Sequence, residues 1–238
     1  ASKSRGLGDV YKRQILLRPS QRFDLPMPAE LFTVTNLLVA ITCVVSFLVM
    51  ENQVTKSQLL FHPATVRREG EWYRFLTSGF IHADMLHLLI NMFVLWSFGN
   101  ALETGYFPVF LGEGSTIKFL ILYLGGIVVS SIPDYFRHRY NSTYAALGAS
   151  GGVSAVVFGV IIFAPWQNLY LYGVIAIPQI VAGVGYLWYS WVKDKQANDN
   201  IGHMAHFAGA VWGFVFTGLM NPYLFVSFVQ QTLAGPSW

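Results

Sequence analysis

An all-α bundle that crosses a membrane six times is the architecture this sequence predicts, on three observations. Of the 238 residues, 54% are hydrophobic and only 11% charged, where soluble domains carry about 25% charged residues. Mean hydropathy is +0.46. The apolar residues also fall into long blocks, several close to the roughly 20 residues with which a helix spans a hydrocarbon layer. The net charge of +3 is scattered, which gives nucleic-acid binding little support. The single cysteine, Cys43, lies in the first apolar block, can form no internal disulfide and has no partner for a cysteine metal site.

Residues 1–30 form a basic head with Lys3, Arg5, Lys12, Arg13, Arg18 and Arg22, partly offset by Asp9, Asp24 and Glu30. Its first dozen or so residues lack periodicity and read as foreign or disordered. The first span, Phe32–Met50, follows Pro26 and Pro28 and is long enough to be an anchor, so no cleavable signal is expected. Glu51–Arg74 is too long for a simple turn. Its Leu59-Leu60-Phe61 and Trp72-Tyr73 clusters predict a structured loop against the membrane surface. Met85–Leu102 is the second span, followed by a loop with Glu103, Gly105 and Pro108, and Ile117–Ile132 is the third. The connection Pro133–Tyr144 is polar. The fourth span, Ser150–Phe163, is short, as suits a helix that starts below the surface inside protein. A fifth run, Leu169–Trp191, is expected to kink near Pro178. The polar loop from Lys193 leads to the sixth span, His203–Met220, and the tail 223–238 is too polar at its end for a seventh.

Six spans put both termini on one side and bring the starts of spans two, four and six together on the other. His87, Ser150 and His206 therefore reach similar depth below one face. Charge does not orient the bundle, because the head and Lys118 nearly balance Lys56, Arg67, Arg68, Arg74, Arg137, Arg139, Lys193 and Lys195.

Ser150 lies within Leu147-Gly148-Ala149-Ser150-Gly151-Gly152-Val153, with no bulky neighbour to shield its hydroxyl. Small-residue clusters also serve to pack membrane helices; the company this serine keeps is what points to chemistry. A serine becomes nucleophilic when a base within about 2.6–3.2 Å takes its proton. His206 is the candidate, on a helix whose small stripe of Ala205, Gly209 and Gly213 permits close approach to span four. His87 and Asn91, four residues apart, share a helix face. With the Ser150 N–H at a helix N-terminus they supply three donors for an oxyanion, although the pair also reads as an interhelical hydrogen-bonding device. His82, His87, His203 and His206 invite a zinc reading, but there is no His-Glu-x-x-His, no nearby acid placed as a general base and no cysteine ligand, so no metal or cofactor is expected. No Asp or Glu within the spans can orient His206, which makes the arrangement a Ser-His dyad.

The chain resembles the rhomboid family of intramembrane serine proteases over roughly residues 30–220. The resemblance rests on Glu71-Trp72-Tyr73-Arg74, on His82, His87 and Asn91 in the pattern His-x-x-x-x-His-x-x-x-Asn, on Leu102-Glu103, on Gly148-Ala149-Ser150-Gly151, and on Ala205-His206-x-x-Gly209 with Gly213. Each motif is weak alone; in this order they are specific. The resemblance implies a bacterial-type, six-span rhomboid-like bundle over 31–222, in a bacterial cytoplasmic membrane, with cytoplasmic termini and a water-filled cavity open to the extracytoplasmic face. Ser150 would attack the scissile carbonyl, His206 would activate it, and His87, Asn91 and the Ser150 amide would hold the oxyanion. Trp72, Arg74, His82, Glu103, Gly148, Gly151, Gly209 and Gly213 would be structural support. Span five would be a lateral gate and the loop 193–202 a cap. Substrates would be single-span or polytopic membrane proteins, met within the lipid, with small residues near the cut and helix-destabilising residues below it. His203 and Gly152 are departures from the pattern. Three other readings are weighed: a catalytically silent client-binding protein, which loss of Ser150 or His206 would have favoured; a transporter, which lacks an evident inverted repeat and an intramembrane carboxylate; and a small membrane hydrolase acting on lipid, which would share the serine chemistry and which a fluorophosphonate probe alone would not separate. Oligomeric state and physiological substrate are not legible in the sequence.

Overall fold

The computed structural model describes residues 32–171, 175–196 and 203–236. The basic head and most of the expected cap loop, 197–202, lie outside the described residues. The chain runs through α1 (Val34–Met50), α2 (Gln53–Leu59), α3 (Pro63–Glu69), α4 (Arg74–Thr77), α5 (Met85–Asn100), α6 (Phe107–Leu111), α7 (Ser115–Ser130), α8 (Ile132–His138), α9 (Ser150–Ile161), the strands β1 (Asn168–Leu171) and β2 (Ile175–Pro178), α10 (Gln179–Gln196), α11 (His203–Met220) and α12 (Tyr223–Ala234).

Two continuous helical stretches among the described residues are long and apolar enough to cross a membrane, Met85–Leu111 with 27 residues and Ser115–His138 with 24. Met204–Met220 and Tyr223–Ala234 satisfy the same requirement together but bend by 115° between them, while α1 and α9 are shorter apolar helices. The protein is a mostly α-helical polytopic membrane protein.

The second expected span runs on where a loop was expected. At Ala101–Tyr106 the helix widens into a π-turn and continues into α6. Asn100 Nδ2 donates to the Trp96 carbonyl and the Thr104 hydroxyl to the Asn100 carbonyl, both at 2.8 Å, so side chains occupy carbonyls of the widened stretch. Glu103 is buried there. Its carboxylate accepts from the N–H groups of Val34 and Thr35 and from the Thr35 hydroxyl, each at 2.7 Å. Those are orphan donors of the first turn of α1, and an anion at a helix N-terminus is also favoured by the dipole.

The expected kinked fifth span is replaced in its first half by an antiparallel hairpin, with Asn168 opposite Pro178 and Leu171 opposite Ile175. Pro178 closes β2 and α10 begins one residue later, so proline, lacking an N–H, marks a boundary and not a kink. The polar connection after span three opens with α8, which carries Pro133 and Asp134 in its first turn and Arg137 and His138 in its last. The tail from 223 is helical as well. Leu224 of α12 is buried, Gln231 Nε2 donates to the Phe163 carbonyl at 3.1 Å, and Trp166 Nε1 donates to the Gln231 carbonyl at 2.8 Å.

The first loop is structured by caps and one cation. Asn52 and His62 cap α2 and α3, Gly70 ends α3 at φ +75°, and buried Arg74 pairs with Glu71 while donating to the carbonyls of Ser57 and Leu60 at 2.7 and 2.9 Å. Trp72, more than half exposed, stacks on Phe75 and lies against Tyr135.

Candidate active site

Glycines let α7, α9 and α11 approach backbone to backbone. A β-carbon on Gly126 would stand 2.6 Å from Ala155 Cβ, and one on Gly152 would stand 2.8 Å from the Tyr123 carbonyl oxygen. On Gly209 or Gly213 it would press into the carbonyls of Gly151 or Ala155, and on Gly151 into the Ser130 side chain. Such approach is how small residues hold membrane helices together when lipid removes the hydrophobic drive.

Ser150 is the first residue of α9, reached through a loop pinned at three points. Phe61 and Ala146 exchange backbone hydrogen bonds at 2.9 Å, the Gly148 N–H donates to the Ser78 carbonyl at 2.9 Å, and the Ala149 N–H donates to His82 Nε2 at 3.3 Å. Gly148 has φ +120°, in the region that favours glycine, and a β-carbon there would stand 2.8 Å from His87 Cε1.

His82 is only 1% exposed. Since its Nε2 accepts from Ala149, its Nδ1 carries the proton and donates to Ser46 Oγ at 2.9 Å, and the Ser46 hydroxyl donates to the Phe80 carbonyl at 2.9 Å. Burial lowers the His82 pKa to about 3; the neighbouring His87 acts in the same direction and Asp84 opposes it. The ring is therefore a neutral connector between α1 and the loop before Ser150.

His206 Nε2 lies 2.8 Å from Ser150 Oγ. An imidazole at that distance can take the hydroxyl proton as the oxygen attacks a carbonyl. His87 is the third residue of α5, under the cap of Asp84, whose carboxylate accepts from the His87 N–H at 2.8 Å. Its ring meets His82 edge-on at 5.0 Å between centroids. Asn91, buried one turn on, uses one amide hydrogen on the His87 carbonyl at 2.9 Å and has a second to offer. His203 opens α11, but its side chain lies outside the described residues. Trp72, Arg74 and Glu103 stand away from the serine, in the first loop and at the far end of the second span. Among the described residues no group of three or more His, Cys, Asp or Glu side chains is placed to hold a metal ion.

Sequence reasoning missed several neighbours. Asp84 was findable, as an N-cap residue directly before an apolar run. Ser46 and Ser78 carry no signal, being single hydroxyls in or beside apolar stretches. Ser154 and Tyr186, which meet beside His206, gave none either.

Residues 69–223 match the sequence model of the Rhomboid domain. RHOMBOID-like protein 12, mitochondrial, of Arabidopsis thaliana is 28% identical over 158 residues, which cover 60% of this chain and 45% of that protein. Presenilin-associated rhomboid-like protein A, mitochondrial, of Danio rerio is 31% identical over 147 residues, 59% of this chain and 36% of its own. Rhomboid protease GluP of Bacillus subtilis (strain 168) is 30% identical over 152 residues, 61% of this chain and 25% of its own. The chain thus spans less than half the length of each of these three relatives. The matched region holds the glycine-packed helices, the pinned loop and the Ser150–His206 contact, and on that match the chain belongs to the rhomboid family.

Proposed function

We propose that this protein is an intramembrane serine endopeptidase that cleaves membrane-protein substrates through a Ser150–His206 dyad. The observation that carries the reading is the 2.8 Å contact between His206 Nε2 and Ser150 Oγ, in a chain homologous to a rhomboid protease. The Ser150 hydroxyl proton passes to His206 as Oγ bonds to the scissile carbonyl carbon, and the carbonyl oxygen becomes an oxyanion. Donors at His87, Asn91 and the Ser150 N–H stabilise that charge. When the intermediate collapses, the C–N bond breaks and His206 protonates the leaving amine. Water, deprotonated by His206, then releases Ser150 from the acyl-enzyme.

On this reading residues 31–222 form a six-span catalytic domain, with the basic segment 1–30 on the cytoplasmic side and 223–238 as its C-terminal extension. The serine opens toward the extracytoplasmic face of a bacterial cytoplasmic membrane. Helical peptide bonds are hydrogen-bonded and closed to attack, so a substrate must present a locally unwound segment. The test uses purified protein in proteoliposomes with a generic single-span substrate, beside Ser150→Ala and His206→Ala, with and without EDTA. A discrete fragment cut near the membrane boundary, absent in both variants and unaffected by EDTA, is expected. Cleavage that persists in Ser150→Ala sinks the proposal.

A further inference from the structure

Two arginines from different elements converge on one aromatic ring where the first loop meets α8. Arg67, in the last turn of α3, holds its guanidinium carbon 4.4 Å from the centroid of the Tyr140 ring. Arg139, directly after α8, holds its own 5.3 Å from the same centroid and 5.3 Å from that of Phe136. A ring face attracts a cation through its quadrupole but neutralises no charge. Among the described residues the ion pairs are Arg68–Glu69 and Arg74–Glu71, and the Asp134 carboxylate of α8 accepts from the Tyr144 hydroxyl at 2.7 Å. None of these carboxylates answers Arg67 or Arg139. Arg139 Nε is also buried with no acceptor, a charged donor withdrawn from water without compensation.

The surroundings are those of a membrane–water boundary. Trp72, Tyr73, Phe136 and Tyr140 are all exposed. Trp72 lies against Tyr135, which meets Phe136 edge-on, so exposed aromatics of the first loop and of α8 adjoin. Such residues settle at headgroup depth. α8 closes the apolar stretch Ser115–His138, so Arg139 stands where that stretch leaves the hydrocarbon. The helix dipole accounts for a cation at the end of its own helix; it gives no reason for cations from α3 and α8 to share a ring. An anion lying against both does, and guanidinium nitrogens match the oxygens of a phosphate in spacing and charge.

We propose that Arg67, Arg139 and Tyr140 form a binding site for the phosphate of a negatively charged phospholipid. A lipid fits better than a free anion because the exposed aromatics beside the arginines offer apolar contact that only acyl chains can use. The site lies at the serine's end of the bundle, since Ser130, at the end of α7, is the side chain that a β-carbon on Gly151 would strike. The bound phosphate joins α3 to α8, across the seam that Trp72 and Tyr135 already close. The proposal does not depend on the dyad chemistry.

The test follows Tm of the purified full chain in detergent micelles as phosphatidylglycerol is added, beside phosphatidylcholine with the same acyl chains and beside inorganic phosphate. Phosphatidylglycerol is expected to raise Tm to a plateau, and the other two to leave it nearly unchanged. In the double variant Arg67→Gln/Arg139→Gln the half-saturating lipid concentration should rise about tenfold or more. In Lys56→Gln/Arg68→Gln, which removes as many charges from the first loop and its surroundings, it should stay within about threefold. Arg67→Gln alone, at an exposed side chain, should raise it about fivefold and stands in for the double variant should that not fold. An equal shift with phosphatidylcholine would assign the effect to acyl chains, and an equal shift with inorganic phosphate would make this a free-anion site. An unchanged lipid response in folded Arg67→Gln, or a Lys56→Gln/Arg68→Gln protein that loses as much as the arginine pair, would leave only diffuse charge attraction. Each of these results overturns the proposal.

Discussion

Replacing Gly209 by alanine puts one methyl group where α11 crosses α9 with no side chain between them. The new β-carbon would press on the Gly151 carbonyl oxygen and stand 2.9 Å from the carbonyl carbon and 3.1 Å from Cα. Non-bonded carbons settle at about 3.5–4.0 Å. Because the obstacle is backbone and cannot rotate away, the helices must part by roughly 0.5–1 Å. His206 stands three residues before Gly209, in the same turn of α11, and moves with it. The 2.8 Å contact to Ser150 Oγ lengthens to roughly 3.5 Å, where a hydrogen bond has failed. Displacement on this scale costs up to about 10²-fold in rate, and overpacking adds about 1–3 kcal/mol of instability. The assay is fluorophosphonate labelling together with cleavage of a single-span substrate, on protein whose Tm shows it folded. Gly185→Ala is the control, since a β-carbon there meets nothing within 4 Å. A folded Gly209→Ala protein that labels within about threefold of wild type would refute the reasoning.

Glu103→Ala strips the acceptor from two N–H groups and one hydroxyl at the start of α1 and is expected to cost about 2–4 kcal/mol. It should lower Tm while leaving labelling of the folded fraction intact, because the 16 residues of α5 set it about 24 Å from the serine end; loss of labelling without loss of Tm would contradict this. Arg74→Lys keeps the charge but not the fork that reaches Glu71, Ser57 and Leu60 together, and should lower stability by about 2–3 kcal/mol and open the first loop to proteolysis. An unchanged digestion pattern would mean charge alone suffices. His82 stays neutral in the fold because burial depresses its pKa to about 3, whereas the unfolded chain binds a proton below about pH 6.5. Its contribution to stability is therefore full above that pH and lost as pH falls from about 6.5 toward 3. Tm measured from pH 7 to pH 4 should fall more steeply in wild type than in His82→Gln, and parallel curves would exclude His82 as the cause.

What could be read along the chain is what depends on near neighbours. The block of apolar residues from His203 to Met220 is a helix over those same residues, and Ser150 begins one, because composition and terminus chemistry act within a few residues. The stripe of Gly209 and Gly213 was legible as a surface for close approach. It could not say that Gly151 and Ala155 are the backbones approached. The π-turn that carries Glu103 and the hairpin before α10 were misread, as a loop and as a kinked span. In the first, a distant partner decides the local form, since Glu103 answers unpaired donors on α1; in the second, 168–171 pairs with 175–178 in place of continuing a helix. The stacking of Tyr186 on His206 and the support of Ala149 by His82 and Ser46 left no trace in spacing. By itself the sequence determined a helical membrane chain with its serine and its histidines at the starts of apolar runs, since hydrophobicity and capping are local. Only the tertiary structure decided which imidazole meets the serine and which polar groups hold it there, since each such contact joins residues far apart in sequence and exists only once the helices have packed.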